Sequence, residues 1–324
     1  MTKRILITGI AGFIGFHLAK HLKARGDFVI GLDNFNSYYD AKLKKARAQL
    51  LQEHEIEVFT ADIRDRDLFQ LAILRHSITH VVHLAAQAGV RHSLSEPDDY
   101  VASNLHGFVS VLEACRKFPS LKLIYASSSS VYGLNRKSPF SVDDKTDSPA
   151  NLYGATKKAN EAMAHAYHHL YGLSVTGLRY FTAYGPWGRP DMAYYRFTDA
   201  IANGEPIQVF NFGKMRRDFT YIDDIVQGTM AAIDLGAACK IFNLGNNRPI
   251  DLLYLIEQIE TSLGKQAIKE LLPMQLGEVI ETCADIETSR TELNFTPTVT
   301  IEDGIHRFVN WYLTYKKRDD RSID

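Results

Sequence analysis

A short apolar run, Arg4-Ile5-Leu6-Ile7-Thr8, leads into glycines at 9, 12 and 15, and Phe16 to Leu22 then repeats with helical period. The run suits a strand buried on both faces, as parallel strands are. Strand, glycine turn and helix in immediate succession confine the chain to an α/β fold that opens on a dinucleotide-binding unit. Gly9 permits the tight turn, Gly12 lets backbone approach a pyrophosphate, and Gly15 lets helix and strand pack closely. The helix start, at Phe13 and Ile14, presents free N–H groups to phosphates.

The second strand, Phe28-Val29-Ile30-Gly31-Leu32, ends in Asp33 and Asn34. An acid about 20 residues past the glycines binds the adenine ribose hydroxyls and repels a 2′-phosphate. The expected cofactor is therefore NAD rather than NADP. Lys42, Lys44, Lys45 and Arg47 weaken that choice slightly and read as the solvated face of a helix. Val58 to Ala61 ends in Asp62 and Ile63. Asp62 either meets the adenine amine or is a loop acid with no such role. A fourth strand from His80 runs into Leu84, Ala85 and Ala86, small enough for a flat cofactor to lie against backbone. Arg91 reaches an anionic ligand or caps its loop.

A long helix is expected from about 98 to 117, then a fifth strand, Leu121 to Ala126, opening into Ser127-Ser128-Ser129-Ser130. A serine tract there lies at the carboxyl edge of the sheet, where doubly wound folds bind ligands. Tyr153 and Lys157 open the next helix. Residues four apart share a face, and a cation there lowers the tyrosine pKa toward that of a usable general base. The spacing alone is weak; its surroundings give it weight. Ser174 to Arg179 is the sixth strand. Six strands with intervening helices predict a Rossmann-type doubly wound parallel sheet over residues 1–182. From 183 to 324 shorter elements predict a smaller C-terminal substrate-binding region, discontinuous, with some return to the first domain. There Arg217 grips a diphosphate bidentately or pairs with Asp218 or Asp223.

Of the 324 residues 45% are apolar, so a large core is possible, and the net charge of -1 with scattered basic residues argues against a nucleic-acid partner. Cys115, Cys239 and Cys283 lack metal spacing and read as buried thiols of a reducing compartment. No metal site and no membrane span are expected. The N-terminus enters a strand at once, leaving no room for a signal peptide, so a cytoplasmic protein is expected.

Taken together, these residues resemble the extended short-chain dehydrogenase/reductase family over essentially the whole chain. Within it they are most similar to the UDP-glucuronate 4-epimerases. The likeness rests on Asp33 to Asp40 with Leu43 to Arg47, Ala85 to Arg91, Tyr125 to Gly133, Thr182 to Met192 and Gly213 to Asp224. Departures such as Leu276 for a usual proline are conservative or peripheral. The resemblance implies that Tyr153 removes the proton of the sugar 4-hydroxyl while hydride leaves carbon 4 for a tightly bound NAD+. Ser128 shares that proton. Hydride then returns to the other face of the sugar. Ser128, Ser129, Ser130 and Thr182 would hold the substrate carboxylate, because a 4-keto uronate is a β-keto acid that can lose carbon dioxide. Related decarboxylases carry a glutamate, and related dehydratases Asp-Glu, directly before V-Y-G; here stand Ser129-Ser130. Arg189 either adds positive charge or holds the Pro190 loop, and Gln275 is open as a uridine or phosphate contact. The family implies a homodimer through the helices at 98–117 and 153–171. The alternatives are a UDP-glucose or UDP-N-acetylhexosamine 4-epimerase, or a UDP-glucuronate decarboxylase. A non-catalytic scaffold would be free to lose Tyr153, Lys157 and the serines, and the chain keeps them all.

Overall fold

The computed structural model describes residues 2–320. Its strands are β1 (Arg4–Thr8), β2 (Phe28–Asp33), β3 (Glu57–Thr60), β4 (His80–His83), β5 (Lys122–Ser128), β6 (Ser174–Tyr180), β7 (Thr182–Tyr184), β8 (Ile207–Val209), β9 (Arg216–Tyr221), β10 (Cys239–Leu244), β11 (Pro249–Asp251) and β12 (Lys269–Leu271). Seven of them form one parallel sheet in the order β10-β6-β5-β4-β1-β2-β3. The order reverses between β1 and β4. A crevice opens there beyond the carboxyl ends of the strands, the place where such sheets bind ligands. Alternation along β1 feeds two cores: Ile5 and Ile7 pack on one face, with Phe16, and Leu6 on the other, with Phe69 and Phe108.

The sheet has one strand more than the six expected. β10 comes from the second half of the chain and pairs with β6 over Cys239 to Leu244. The remaining strands form small sheets, β11-β9-β7 and β12-β8, which wall the crevice on its far side. Helices α1 (Phe13–Ala24) and α2 (Ala41–Glu53) flank the sheet. The helix expected over 98–117 is a helical run from Pro97 to Cys115 interrupted by a π-turn, Val101–His106. Such turns cluster at functional sites, and this one carries the buried Asn104. The helix bearing Tyr153 spans Leu152–Tyr171; Asn151 caps it by accepting the Gly154 N–H at 2.9 Å, and left-handed Gly172 ends it.

One expectation about α2 is overturned. Lys42 and Lys45 face solvent, but Lys44 and Arg47 are buried. They donate to main-chain oxygens, Lys44 to that of Asn36 and the terminal nitrogens of Arg47 to those of Ala11, Trp187 and Gly188.

A buried polar knot fixes the strand ends beneath the crevice. Arg179 on β6 donates to both carboxylate oxygens of Glu161, at 2.8 and 2.9 Å, and to the Tyr132 hydroxyl at 2.9 Å. Tyr132 donates to Asn243 on β10 at 2.7 Å, and Ser127 on β5 donates to Glu161 at 2.6 Å. Losing one member strands a buried charge, a loss of roughly 3–5 kcal/mol. Glu161→Leu should therefore lower the urea-unfolding free energy by about that amount; a loss under about 1 kcal/mol would show that the pair is replaceable.

Candidate active site

The crevice is a cleft of about 1530 Å³. One wall is the glycine turn. Gly9 has φ +70°, and a Cβ on it would lie 2.8 Å from the Ala85 nitrogen; a Cβ on Gly15 would lie 2.3 Å from the Gly9 carbonyl oxygen. Gly12 precedes α1 without a side-chain cap. The first-turn N–H groups, which lack intrahelical partners, therefore open on the cleft beside Gly12, Phe13, Ile14 and Gly15. Asp33 accepts the N–H groups of Ala11 at 3.1 Å and Phe35 at 2.9 Å, which sets the turn against the end of β2. Burial raises its pKa, and those bonds and Lys44 oppose the shift. Its carboxylate keeps lone pairs for hydroxyl donors. Asp62 lines the rim with Ile63, held by Asn34 at 3.0 Å and by two bonds from Arg64. The Arg64 bonds pull its pKa down to about 2. Leu84, Ala85 and Ala86 line the floor. Free N–H groups, glycines with no room for a side chain and a ribose-height acid fit a dinucleotide.

Tyr153, Lys157 and Ser128 meet further along the cleft, where β5 ends and the 152–171 helix begins. The expected influence of Lys157 on Tyr153 is corrected here. Burial pushes the Tyr153 pKa up, and the groups opposing it are the neighbouring Ser128 hydroxyl and the charge of Arg189. The Lys157 ammonium instead donates to the Ala126 carbonyl at 2.8 Å, and burial lowers its own pKa to about 8. Asn104, which the sequence reading missed, braces this corner: it donates to Gln87 O and Thr156 Oγ1, both at 3.0 Å, and accepts the Gln87 N–H at 2.8 Å. An Asn inside a helical pattern gives no local signal of such a role. Ser129 and Ser130 lie in a short turn, Ser129–Tyr132, capped by Ser128, and Thr182 opens β7; all three line the cleft.

Arg189, Arg217 and Arg91 are among the arginines that bring positive charge to the cleft. Arg189 pairs with Asp191 through Nε at 3.0 Å and through a second nitrogen, and Tyr38 donates to the same carboxylate at 2.9 Å. Arg217 does not pair with Asp218 or Asp223. Asp218 is buried, accepting the N–H groups of Asn246, Asn247 and Ala284. The partner of Arg217 is Glu278 at 3.1 Å, and Arg91 reaches the same carboxylate at 3.5 Å. Glu278 thus stands between two guanidinium groups, a placement 61 residues of chain away from Arg217 and unreadable from local pattern. Gln275 stays apart from the cleft-lining residues, with its side-chain oxygen buried and unpartnered.

A parallel sheet with its crevice at the strand-order reversal, a glycine cradle, and a tyrosine and a serine beside a buried lysine define a dinucleotide-using enzyme of the oxidoreductase-like type. The model of the NAD dependent epimerase/dehydratase family matches residues 5–245, and the chain belongs to that family. UDP-glucuronate 4-epimerase 4 of Arabidopsis thaliana is 49% identical to it, across 98% of this chain and 77% of that protein. The crystal structure of the UDP-glucuronic acid 4-epimerase from Bacillus cereus, in complex with UDP-glucuronic acid and NAD, is similar at a TM-score of 0.91 and 36% identity, covering 96% of this chain and 99% of that one. The UDP-glucose 4-epimerase of Thermotoga maritima, with UDP-glucose, is more distant: TM-score 0.86 and 28% identity over 97% of this chain and 99% of that one. Among the described residues no helix is long and apolar enough to cross a membrane.

Proposed function

We propose that this protein interconverts UDP-glucuronate and UDP-galacturonate by transient oxidation at carbon 4, with NAD+ kept bound between turnovers. The observation that carries this reading is the meeting of Tyr153, Ser128 and Lys157 in a cleft that also presents the neutral hydroxyls of Ser129, Ser130 and Thr182. Gly9, Gly12 to Gly15, Asp33, Asn34 and Leu84 to Ala86 would hold the dinucleotide, with Asp62 and Ile63 at its adenine end. Held there, the dinucleotide would supply the acceptor for the hydride of carbon 4 and its return. Tyr153 takes the proton of the 4-hydroxyl, Ser128 steadies it in transit, and both return it when the sugar presents its other face. Arg217 and Arg91 would meet the diphosphate, displacing Glu278 from between them.

The keto uronate is the hazard. Its carboxyl bond breaks readily when aligned with the carbonyl π-system. Neutral donors from Ser129, Ser130 and Thr182 hold the carboxylate without supplying the acid that decarboxylation uses, and Arg189 adds charge behind them. NMR of products formed from UDP-glucuronate without added NAD+ tests the reading. UDP-galacturonate should appear. UDP-pentose as main product, or faster turnover of neutral UDP-sugars, would favour a decarboxylase or a hexose epimerase instead. Ser129→Ala and Thr182→Ala should each raise the pentose share; an unchanged ratio would show that other groups hold the carboxylate.

The same reading places the protein in the cytoplasm, in keeping with three free cysteines, and pairs two copies along the helices 97–115 and 152–171. There Val101, Leu170 and Tyr171 are exposed. A monomer at micromolar concentration in sedimentation would remove the dimer.

A further inference from the structure

The turn that leads to Arg189 is docked on the dinucleotide-binding half of the molecule. Trp187 adopts φ +61°, a left-handed conformation costly for a bulky residue. A Cβ on Gly188 would fall 1.8 Å from the Tyr194 hydroxyl, so the turn has no slack. Two side chains from the first half grip its carbonyls. His17 on α1 lies 2.8 Å from Pro186 O; burial takes its pKa to about 3, so the neutral ring donates there.

Arg47 on α2 is the second. It is fully buried, and one of its terminal nitrogens donates to Trp187 O at 2.6 Å and Gly188 O at 3.1 Å. The other donates to Ala11 O in the glycine turn at 3.0 Å and to the Tyr39 hydroxyl at 2.9 Å. None of these four oxygens belongs to a carboxylate, and its Nε is buried without a partner. A buried cation held by carbonyls is expensive for the fold. What the expense secures is geometric: one rigid fork spans the glycine turn, the 38–39 segment and the 187–188 turn. The link closes on itself, because Tyr38 donates to Asp191, the partner of Arg189.

We propose that Arg47, assisted by His17, is a positioning residue that transmits the register of the glycine turn to Arg189, so that the grip on the sugar carboxylate is set from the cofactor half. The carboxylate half of this statement rests on the function proposed above; the mechanical half does not. Arg47→Lys keeps the charge but cannot span the three segments. Two measurements separate the halves.

The first is hydrogen exchange of residues 185–191 in the protein carrying its bound NAD+ and in protein stripped of it. In the parent, NAD+ should slow exchange there at least fivefold; in Arg47→Lys that protection should be lost while residues 9–15 remain protected. Equal protection of 185–191 in both proteins would overturn the proposal. The second is the product ratio with UDP-glucuronate. Arg47→Lys, folded and carrying NAD, should show a raised KM and a share of decarboxylated sugar at least tenfold above the parent's. Parental KM and ratio would overturn the link to Arg189. If the parent itself forms no UDP-galacturonate, the proposed activity fails, and the exchange result still decides the clamp. His17→Leu removes one bond at the edge of the turn. It should shift both readouts the same way by less, and it serves where Arg47→Lys does not fold.

Discussion

Tyr153→Phe is expected to lower turnover of UDP-glucuronate by roughly 10²–10⁴-fold while NAD and the sugar nucleotide stay bound. The ring remains, so the packing against Tyr100, with ring centroids 6.2 Å apart, is unchanged. Only the phenol oxygen, with Ser128 beside it, is lost. In this protein without ligands that oxygen is a poor base, because burial raises its pKa and only Ser128 and Arg189 oppose the shift. Its ionisation therefore depends on positive charge gathered at the site, and the parent's rate should climb as pH rises through the phenol's working pKa. A variant lacking the phenol should show no such limb. Retention is checked by the NAD released on denaturing the purified variant, and turnover by the same NMR assay. A rate within fivefold of the parent's would mean that another group removes the proton.

The parts of the site that sequence exposed are those whose chemistry is local. Gly9, Gly12 and Gly15 stand within one turn of a strand end and a helix start, and the conformation they permit is the function they serve. Asp33 closes the next apolar run. Tyr153 and Lys157 share a helix, though sharing a face did not determine where the ammonium goes: Ala126 O, on the neighbouring strand, claims it.

What escaped was decided by chain far away. Arg47 looks like the wet face of an amphipathic helix until the carbonyls of Trp187 and Gly188, about 140 residues later, arrive above it. Glu278 follows the same pattern, since its meaning comes from Arg91 and Arg217, which reach it from distant stretches of chain. β10 was hidden for another reason. Cys239-Lys240-Ile241-Phe242 mixes exposed and buried positions as an edge strand does, so it lacks the unbroken apolar run that announced β1.

Lys157→Met should abolish most turnover, by about 10²-fold or more on the scale of a lost catalytic charge, and yet stabilise the protein stripped of cofactor. The sign follows from the burial of the ammonium, which lowers its pKa from 10.5 to about 8. Below pH 8 the lysine is protonated in the folded and the unfolded chain alike, and keeping the charge buried costs the fold about 3 kcal/mol at 1.36 kcal/mol per pKa unit. Between pH 8 and 10.5 the unfolded chain binds more protons than the folded one, so parent stability from this group rises with pH. Methionine removes the cost throughout, less about 1 kcal/mol for the lost bond to Ala126 O. The variant should therefore exceed the parent by roughly 2 kcal/mol in urea unfolding near pH 7, and the advantage should vanish by about pH 10.5. A gap that stays constant over that range would show that the ammonium is not desolvated in the fold. A site that keeps an unfavourable charge where a neutral side chain would be more stable is trading stability for chemistry, and the charge lies where a bound dinucleotide and the Tyr153 phenol would both use it.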